Sequence, residues 1–264
     1  MNPKVTKMTP FIVMDVLERA NALQAEGIDV IHLEVGEPDF NIPACVADAA
    51  IKAYQDGKTH YTHSLGSPLL RQKIADFYVQ EYGVTVNPDC IVVTSGSSPA
   101  ILMVLMLLCE AGSEVILSNP GYACYSNFAL AVNANPVQVL LKPENKFQYK
   151  LEDIRAALSD QTRAIFVNSP MNPTGGLVDD AVFEGLATLN VPIISDEIYH
   201  ATCNRIALFS GQDFLNPATV NREHHGKNTV LAFGRIGLPI AQPDRNGAIL
   251  IAIQKKQQQT SLMV

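Results

Sequence analysis

What this 264-residue sequence lacks narrows its function first. Its longest apolar run, Ala100 to Cys109 (AILMVLMLLC), falls far short of the roughly 20 residues that cross a bilayer, so it reads as a buried helix. The N-terminus, MNPKVTKMTP, has no apolar stretch followed by a small-residue cleavage site; no signal peptide is expected, and the cytoplasm is the default location. No C-x-x-C occurs. The five cysteines, Cys45, Cys90, Cys109, Cys124 and Cys203, are scattered and odd in number, which points away from both a disulfide framework and a zinc site. A dense Lys/Arg cluster is also missing and the net charge is -7, so nucleic acid and anionic membrane surfaces are poor partners. A small-molecule enzyme fits these exclusions.

What is present is enough apolar residue, 47%, to bury a substantial core. PFIVMDVLERANALQAEG has helical spacing and stops at Gly27, and a strand-like DVIHLEV follows. In GSPLLRQKIADFYVQEYG, Ser67 is the expected N-cap, Pro68 the first helical residue and Gly83 the terminator. From Cys90 onward short apolar runs (CIVVT, EVILS, PVQVLL, RAIFVN, VPIIS) alternate with helical segments predicted at 99–110, 122–132, 151–158 and 179–189. Such alternation predicts an α/β fold, a three-layer αβα arrangement with a mainly parallel central sheet. The end, IQKKQQQTSLMV, is polar and glutamine-rich and reads as a frayed terminus.

In parallel sheets ligands sit beyond the carboxyl ends of the strands, so the residues following each run carry the functional information. After CIVVT come Ser95-Gly96-Ser97-Ser98-Pro99, either a phosphate site at a helix N-terminus or a plain serine cap. After EVILS, NPGYACY offers Tyr122 as an aromatic lid over a planar ligand or as a buried turn tyrosine. In SPMNPTGG, turn chemistry explains most residues and leaves Asn172 as the side chain able to donate to a ligand. After VPIIS, Asp196 is a cap or a carboxylate facing a ligand, with Tyr199 three positions on. Phosphate donors, an aromatic plate, an amide, a carboxylate and a phenol together suit a phosphorylated aromatic cofactor.

HLEVGEPDF, YTHSLGSPLLRQKIADFY, VTSGSSPA, NPGYACY, NSPMNPTGG and SDEIYH occur in the order found in the class I pyridoxal-phosphate-dependent aminotransferases. The sequence resembles that aspartate aminotransferase-like, fold type I group from about Met8 to His200. The resemblance implies pyridoxal 5'-phosphate as cofactor and an amino acid and a 2-oxo acid as substrates. Ser97 and Ser98 would hold the phosphate, Tyr122 would stack on the pyridine ring, and Asn172 and Tyr199 would bond its phenolic oxygen. Asp196 would pair with the ring nitrogen, keeping it protonated so that the ring accepts electrons from the substrate. Gly36 would meet the substrate carboxylate, and Tyr61 would reach the phosphate of a neighbouring subunit, which implies a homodimer.

The pattern breaks after His200. Family members carry a cofactor-binding lysine at the end of the next strand, usually after Ser-x-Ser, with a phosphate arginine eight positions later. One register makes Lys227 that catalytic lysine and Arg235 the arginine; the other takes TVLAF as the strand and puts Arg235 in the lysine's place. Spacing favours the first and strand order the second. Arginine cannot substitute, because its guanidinium stays protonated. His224 and His225 read as a solvated loop without further metal ligands.

The resemblance divides the chain into an N-terminal arm and small-domain segment (1–45), a cofactor-binding large domain (46–253) and a polar tail (254–264). The family's C-terminal small domain, with its substrate-carboxylate arginine, is expected to be largely missing. The leading expectation is amino-group transfer. The alternatives are a catalytically impaired cofactor-binding or dimerising remnant and a carbon–sulfur lyase on the same scaffold.

Overall fold

The computed structural model describes residues 5–36, 41–83, 85–199, 229–235 and 248–254, the last two segments as backbone strands. Helix α1 (Ile12–Ala25) ends at Gly27, whose φ of +86° suits a residue without Cβ, and α2 spans Ala44–Gln55. Helix α3 (Pro68–Tyr82) starts on proline at its first turn and closes on Gly83 in the left-handed region. Then strands and helices alternate: β1 (Ile91–Thr94), α4 (Ser97–Leu108), β2 (Glu114–Asn119), α5 (Cys124–Ala131), β3 (Asn135–Leu140), α6 (Leu151–Ala157), β4 (Thr162–Asn168), α7 (Asp180–Ala187) and β5 (Ile193–Asp196). Strands β6 (Thr229–Arg235) and β7 (Ala248–Gln254) complete the described chain.

Among the described residues the strands form one sheet in the order β1-β7-β6-β5-β4-β2-β3. β2 pairs in parallel with β3 and β4, β4 with β5, and β5 with β6; β7 runs antiparallel to both β6 and β1. β1 therefore points the same way as the parallel strands, and Thr94, Asn119, Asn168 and Asp196 finish on one edge.

The period-2 alternation of strand side chains builds the two flanking layers. Val115, Leu117, Ala164, Phe166 and Ile194 pack with Ile101, Val104 and Leu105 of α4 and Ala129 of α5. Their neighbours in sequence, Ile116, Ile165, Val167 and Ile193, point the other way against Ile154 of α6 and Phe183 and Leu186 of α7. At the edge Ile91 meets Ile74, Ala75 and Tyr78 of α3. This is the three-layer α/β architecture, with apolar strands buried on both faces.

The local differences from the sequence reading are informative. DVIHLEV forms no strand: Ile31 and Leu33 alternate as a strand would, yet both are exposed and no described strand lies alongside to complete a ladder. The cap of α4 is Gly96, not a serine, and Ser97 and Ser98 are its first two helical residues. The helix expected from Tyr122 begins at Cys124, leaving Tyr122 in the turn. Ser67 precedes α3 but makes no side-chain cap bond. β7 covers an apolar run, AILIAIQ, to which the sequence reading assigned no element, and it pairs throughout with β6.

Candidate active site

Asp196 is the last residue of β5 and is almost fully buried at 4% exposure. Its Oδ2 accepts a hydrogen bond from the Tyr125 hydroxyl at 2.6 Å, and its Oδ1 accepts from the Ile198 N–H at 3.1 Å, an Asx turn that fixes the carboxylate at the strand end. A carboxylate this deep is tolerated because polar groups reach it.

Tyr125 was not among the residues singled out from sequence. It lies on α5, its ring stacked on Phe166 (centroids 4.6 Å apart, planes at 26°) and edge-on to Tyr122 (5.2 Å, 81°). Burial, then the Asp196 charge and hydrogen bond, push its phenol well above the usual tyrosine range. Tyr125 therefore remains a hydrogen-bond donor to Asp196 at any ordinary pH. Tyr122 is half-buried; burial first, then a hydrogen bond with Cys124, also raises its phenol. The turn that presents it is tight: a Cβ on Gly121 would stand 2.6 Å from the Ser118 carbonyl oxygen, so only glycine fits.

Asn168, at the end of β4, ties the strand ends together. Its Nδ2 donates to the Asp196 carbonyl at 2.9 Å, the Ser169 N–H donates to the same carbonyl at 3.1 Å, and its Oδ1 accepts from the Asn172 N–H at 2.7 Å. Asn172 then donates from Nδ2 to the Tyr199 hydroxyl at 3.1 Å. One polar chain thus runs from β4 through the Asn172 turn to Tyr199. The signal for Asn168 and Tyr125 was present in the sequence: a lone amide ending an apolar strand, and a second tyrosine three residues beyond the first.

The structure brings Asp196, Tyr122, Asn172 and Tyr199 to one end of the sheet. Ser97 and Ser98 open α4 at the carboxyl end of β1, on the same edge, where the first N–H groups of a helix carry no intrahelical partners and its dipole favours an anion. Gly36 has open space where a Cβ would be, and Tyr61 is fully exposed. Arg235 is the final residue of β6, which runs parallel to β5 with Phe233 level with Asp196. Lys227, His224 and His225 lie outside the described residues. Among those described, no three His, Cys, Asp or Glu side chains gather as a metal site, and no helix is long and apolar enough to cross a membrane.

Residues 28–238 match the family model of aminotransferase class I and II. The chain belongs to this family. It is 38% identical over 98% of its length to the (5-formylfuran-3-yl)methyl phosphate transaminase of Methanocaldococcus jannaschii. It is 34% identical over 83% of its length to a probable aspartate/prephenate aminotransferase of Aquifex aeolicus. Among solved structures, the aspartate aminotransferase of Thermus thermophilus with maleate superposes with a TM-score of 0.83 over 95% of the chain, at 29% identity. The chain spans 67% of the first of these proteins, 56% of the second and 64% of the third. The likeness to aminotransferases thus covers from 83% to 98% of this chain and about two thirds or less of theirs.

Proposed function

We propose that this aminotransferase-family chain transfers an amino group from an amino acid to a 2-oxo acid with pyridoxal 5'-phosphate, and that Asp196 is the residue on which the reading rests. A buried carboxylate held at a strand end by a tyrosine hydroxyl, beside an aromatic plate, offers the acceptor and the negative charge a protonated pyridine nitrogen needs. Tyr122 would stack on the ring, Asn172 and Tyr199 would hold its phenolic oxygen, and Ser97 and Ser98 with the first N–H groups of α4 would hold its phosphate. When bound, the cofactor supplies an electron sink for the substrate's α-carbon.

The protein's own contribution is orientation and proton placement. Asp196 would hold a proton on the ring nitrogen, and Tyr125 holds Asp196. The Asn168 amide keeps the Asp196 backbone and the Asn172 turn in one frame, so the contacts to ring nitrogen and ring oxygen are set together. Gly36 would admit the substrate carboxylate to the backbone, and Tyr61 would complete the phosphate site of a second copy in a cytoplasmic homodimer. The full exposure of Tyr61 in its own chain supports that use. The three segments 1–45, 46–253 and 254–264 would keep their assigned parts in this reading, the first boundary falling in the opening turn of α2 and the second at the last residue of β7.

A second reading is favoured by β6. The residue at its site-facing end is Arg235, in the position the family pattern reserves for lysine, and a guanidinium is no amine nucleophile. In that case the chain holds the cofactor reversibly and transfers nothing. One experiment separates the two: load the protein with pyridoxal 5'-phosphate, reduce with borohydride and map the peptides by mass. Cofactor mass on Lys227 supports transfer; unmodified lysines and a cofactor that dialyses away support the second reading. If Lys227 is labelled, Asp196→Ala should keep the cofactor while amino-group transfer falls on the order of 100-fold or more. Full transfer by Asp196→Ala would sink the assignment.

A further inference from the structure

Ahead of α1, residues 9–11 are exposed, yet two of them are fastened across a long stretch of sequence. The Thr9 N–H donates to Asn127 Oδ1 at 3.2 Å, and Asn127 Nδ2 donates to the Thr9 carbonyl at 2.8 Å, a separation of 118 residues. A carboxamide carries an acceptor and a donor side by side, so it can take both backbone groups of one residue as a neighbouring strand would. Aspartate has the same shape and lacks the donor. Two residues later the Phe11 ring meets Tyr122 edge-on, with centroids 6.0 Å apart and planes at 83°.

These contacts are placed to act on the site. Asn127 sits on α5, the helix that carries Tyr125, and Tyr122 occupies the turn leading into it. Tyr122 is gripped edge-on by Phe11 and by Tyr125, and Tyr125 holds Asp196. A continuous path therefore links Phe11, Tyr122, Tyr125 and Asp196, begun by an arm whose following helix buries only Ala20.

We infer that Phe11 is a positioning residue: the Asn127 clamp on Thr9 seats Phe11 against Tyr122 and so fixes the aromatic plate on which the cofactor ring stacks. The inference rests on the cofactor reading of the site. Phe11 acts through Tyr122, so its influence must vanish when Tyr122 is removed. Because Phe11 is itself exposed, removing it opens no cavity in the core.

The test is titration of the apoprotein with pyridoxal 5'-phosphate by absorbance, on wild type, Phe11→Ala, Phe11→Tyr, Asn127→Asp, Tyr122→Leu and Phe11→Ala with Tyr122→Leu. Phe11→Ala and Asn127→Asp should each weaken binding roughly 2- to 10-fold, the range of one aromatic edge contact, and Phe11→Tyr should restore it. In the Tyr122→Leu background, Phe11→Ala should cost nothing more. Near-ultraviolet circular dichroism without cofactor gives a second readout. The chain has no tryptophan and eight tyrosines, so Phe11→Ala should alter the tyrosine band while the melting temperature stays in place. Unchanged affinity in Phe11→Ala, independent losses in the double variant, or a fall in apoprotein melting temperature with affinity intact would each overturn the inference. A wild type that binds no cofactor defeats the cofactor reading and this inference with it, and that result is visible before any variant is compared.

Discussion

The stretch from Ile91 to Asp196 and the stretch from Ile12 to Gln55 are apolar in similar proportion and use that apolar side chain to opposite ends. In the first, the strands are packed from both faces, with Ile91, Val104, Leu105, Ile165, Val167 and Ile194 essentially inaccessible. In the second, α1 buries Ala20 and α2 buries no residue, while Ile12, Met14, Val16, Ile51 and Tyr54 face outward. Periodicity that encodes a covered surface is thus present in both, and only one of them is covered within the described chain. An apolar helix left open belongs against another surface, and a second copy of the chain is the surface we propose.

The sharpest way to break this contrast is within the packed half. Phe166 is 2% exposed and stacks on Tyr125, so Phe166→Ala should lose about 3–5 kcal/mol in urea unfolding, with loss of the Asp196 geometry as a by-product. A loss under about 1 kcal/mol would mean the site end of the sheet is not part of the core. Tyr125→Phe keeps the ring and deletes the hydroxyl, leaving the buried Asp196 short of a donor. It should cost roughly 1–3 kcal/mol and weaken cofactor binding. Equal stability and affinity in Tyr125→Phe would remove Tyr125 from the site.

Alkaline titration probes the same half without mutation. Burial is the first cause that raises the phenols of Tyr78, Tyr122, Tyr125 and Tyr149, four of the eight tyrosines. Above about pH 10, where an unfolded tyrosine ionises, the unfolded chain binds fewer protons than the folded one. Stability should therefore be fully present below that pH and fall as pH climbs toward the folded values. Absorbance at the phenolate band should show these four ionising late, in step with unfolding. Early, reversible ionisation of all eight would contradict the burial described.

In the open half the effect on unfolding should be smallest. Ile51→Ser with Tyr54→Ser should shift stability of the single chain by no more than about 0.5 kcal/mol per site, because both side chains are already in solvent. The same pair should lower the mass measured by light scattering toward that of one chain. An unchanged mass would place any self-association elsewhere.

How far the sequence revealed this structure follows the same division. The strands from Ile91 to Asp196 were legible because a strand buried on both faces needs an unbroken apolar run, and the gathering of Asp196, Asn172 and Tyr199 at one end of the sheet was legible because parallel topology brings the residues that follow its strands to that end. DVIHLEV misled because alternation describes one strand and says nothing of its partner. α2 went unread: its cap, Pro43, offers no side-chain bond, and the expected boundary at residue 45 cuts its first turn. The Asn127 clamp on Thr9 could not be read at all, since only the folded chain decides which amide lies beside an arm 118 residues away. Tyr125 was passed over because two tyrosines three apart look alike until one is found on a carboxylate.

The position of β7 bears on the order of events when the chain is made. β1 emerges first among the strands, yet its partner in the sheet is β7, whose residues follow it by more than half the chain. The serines that follow β1 are held through α4, which packs on β2 and β4, whereas β1 itself gains its strand partner only once β7 has slotted between it and β6. Removing β7 would take from β1 its one strand partner among the described residues while sparing the ladders among β2, β3, β4 and β5. Such a non-local closure is slow to form, so the pairing of β1 with β7 should come after the local β2–β3 ladder.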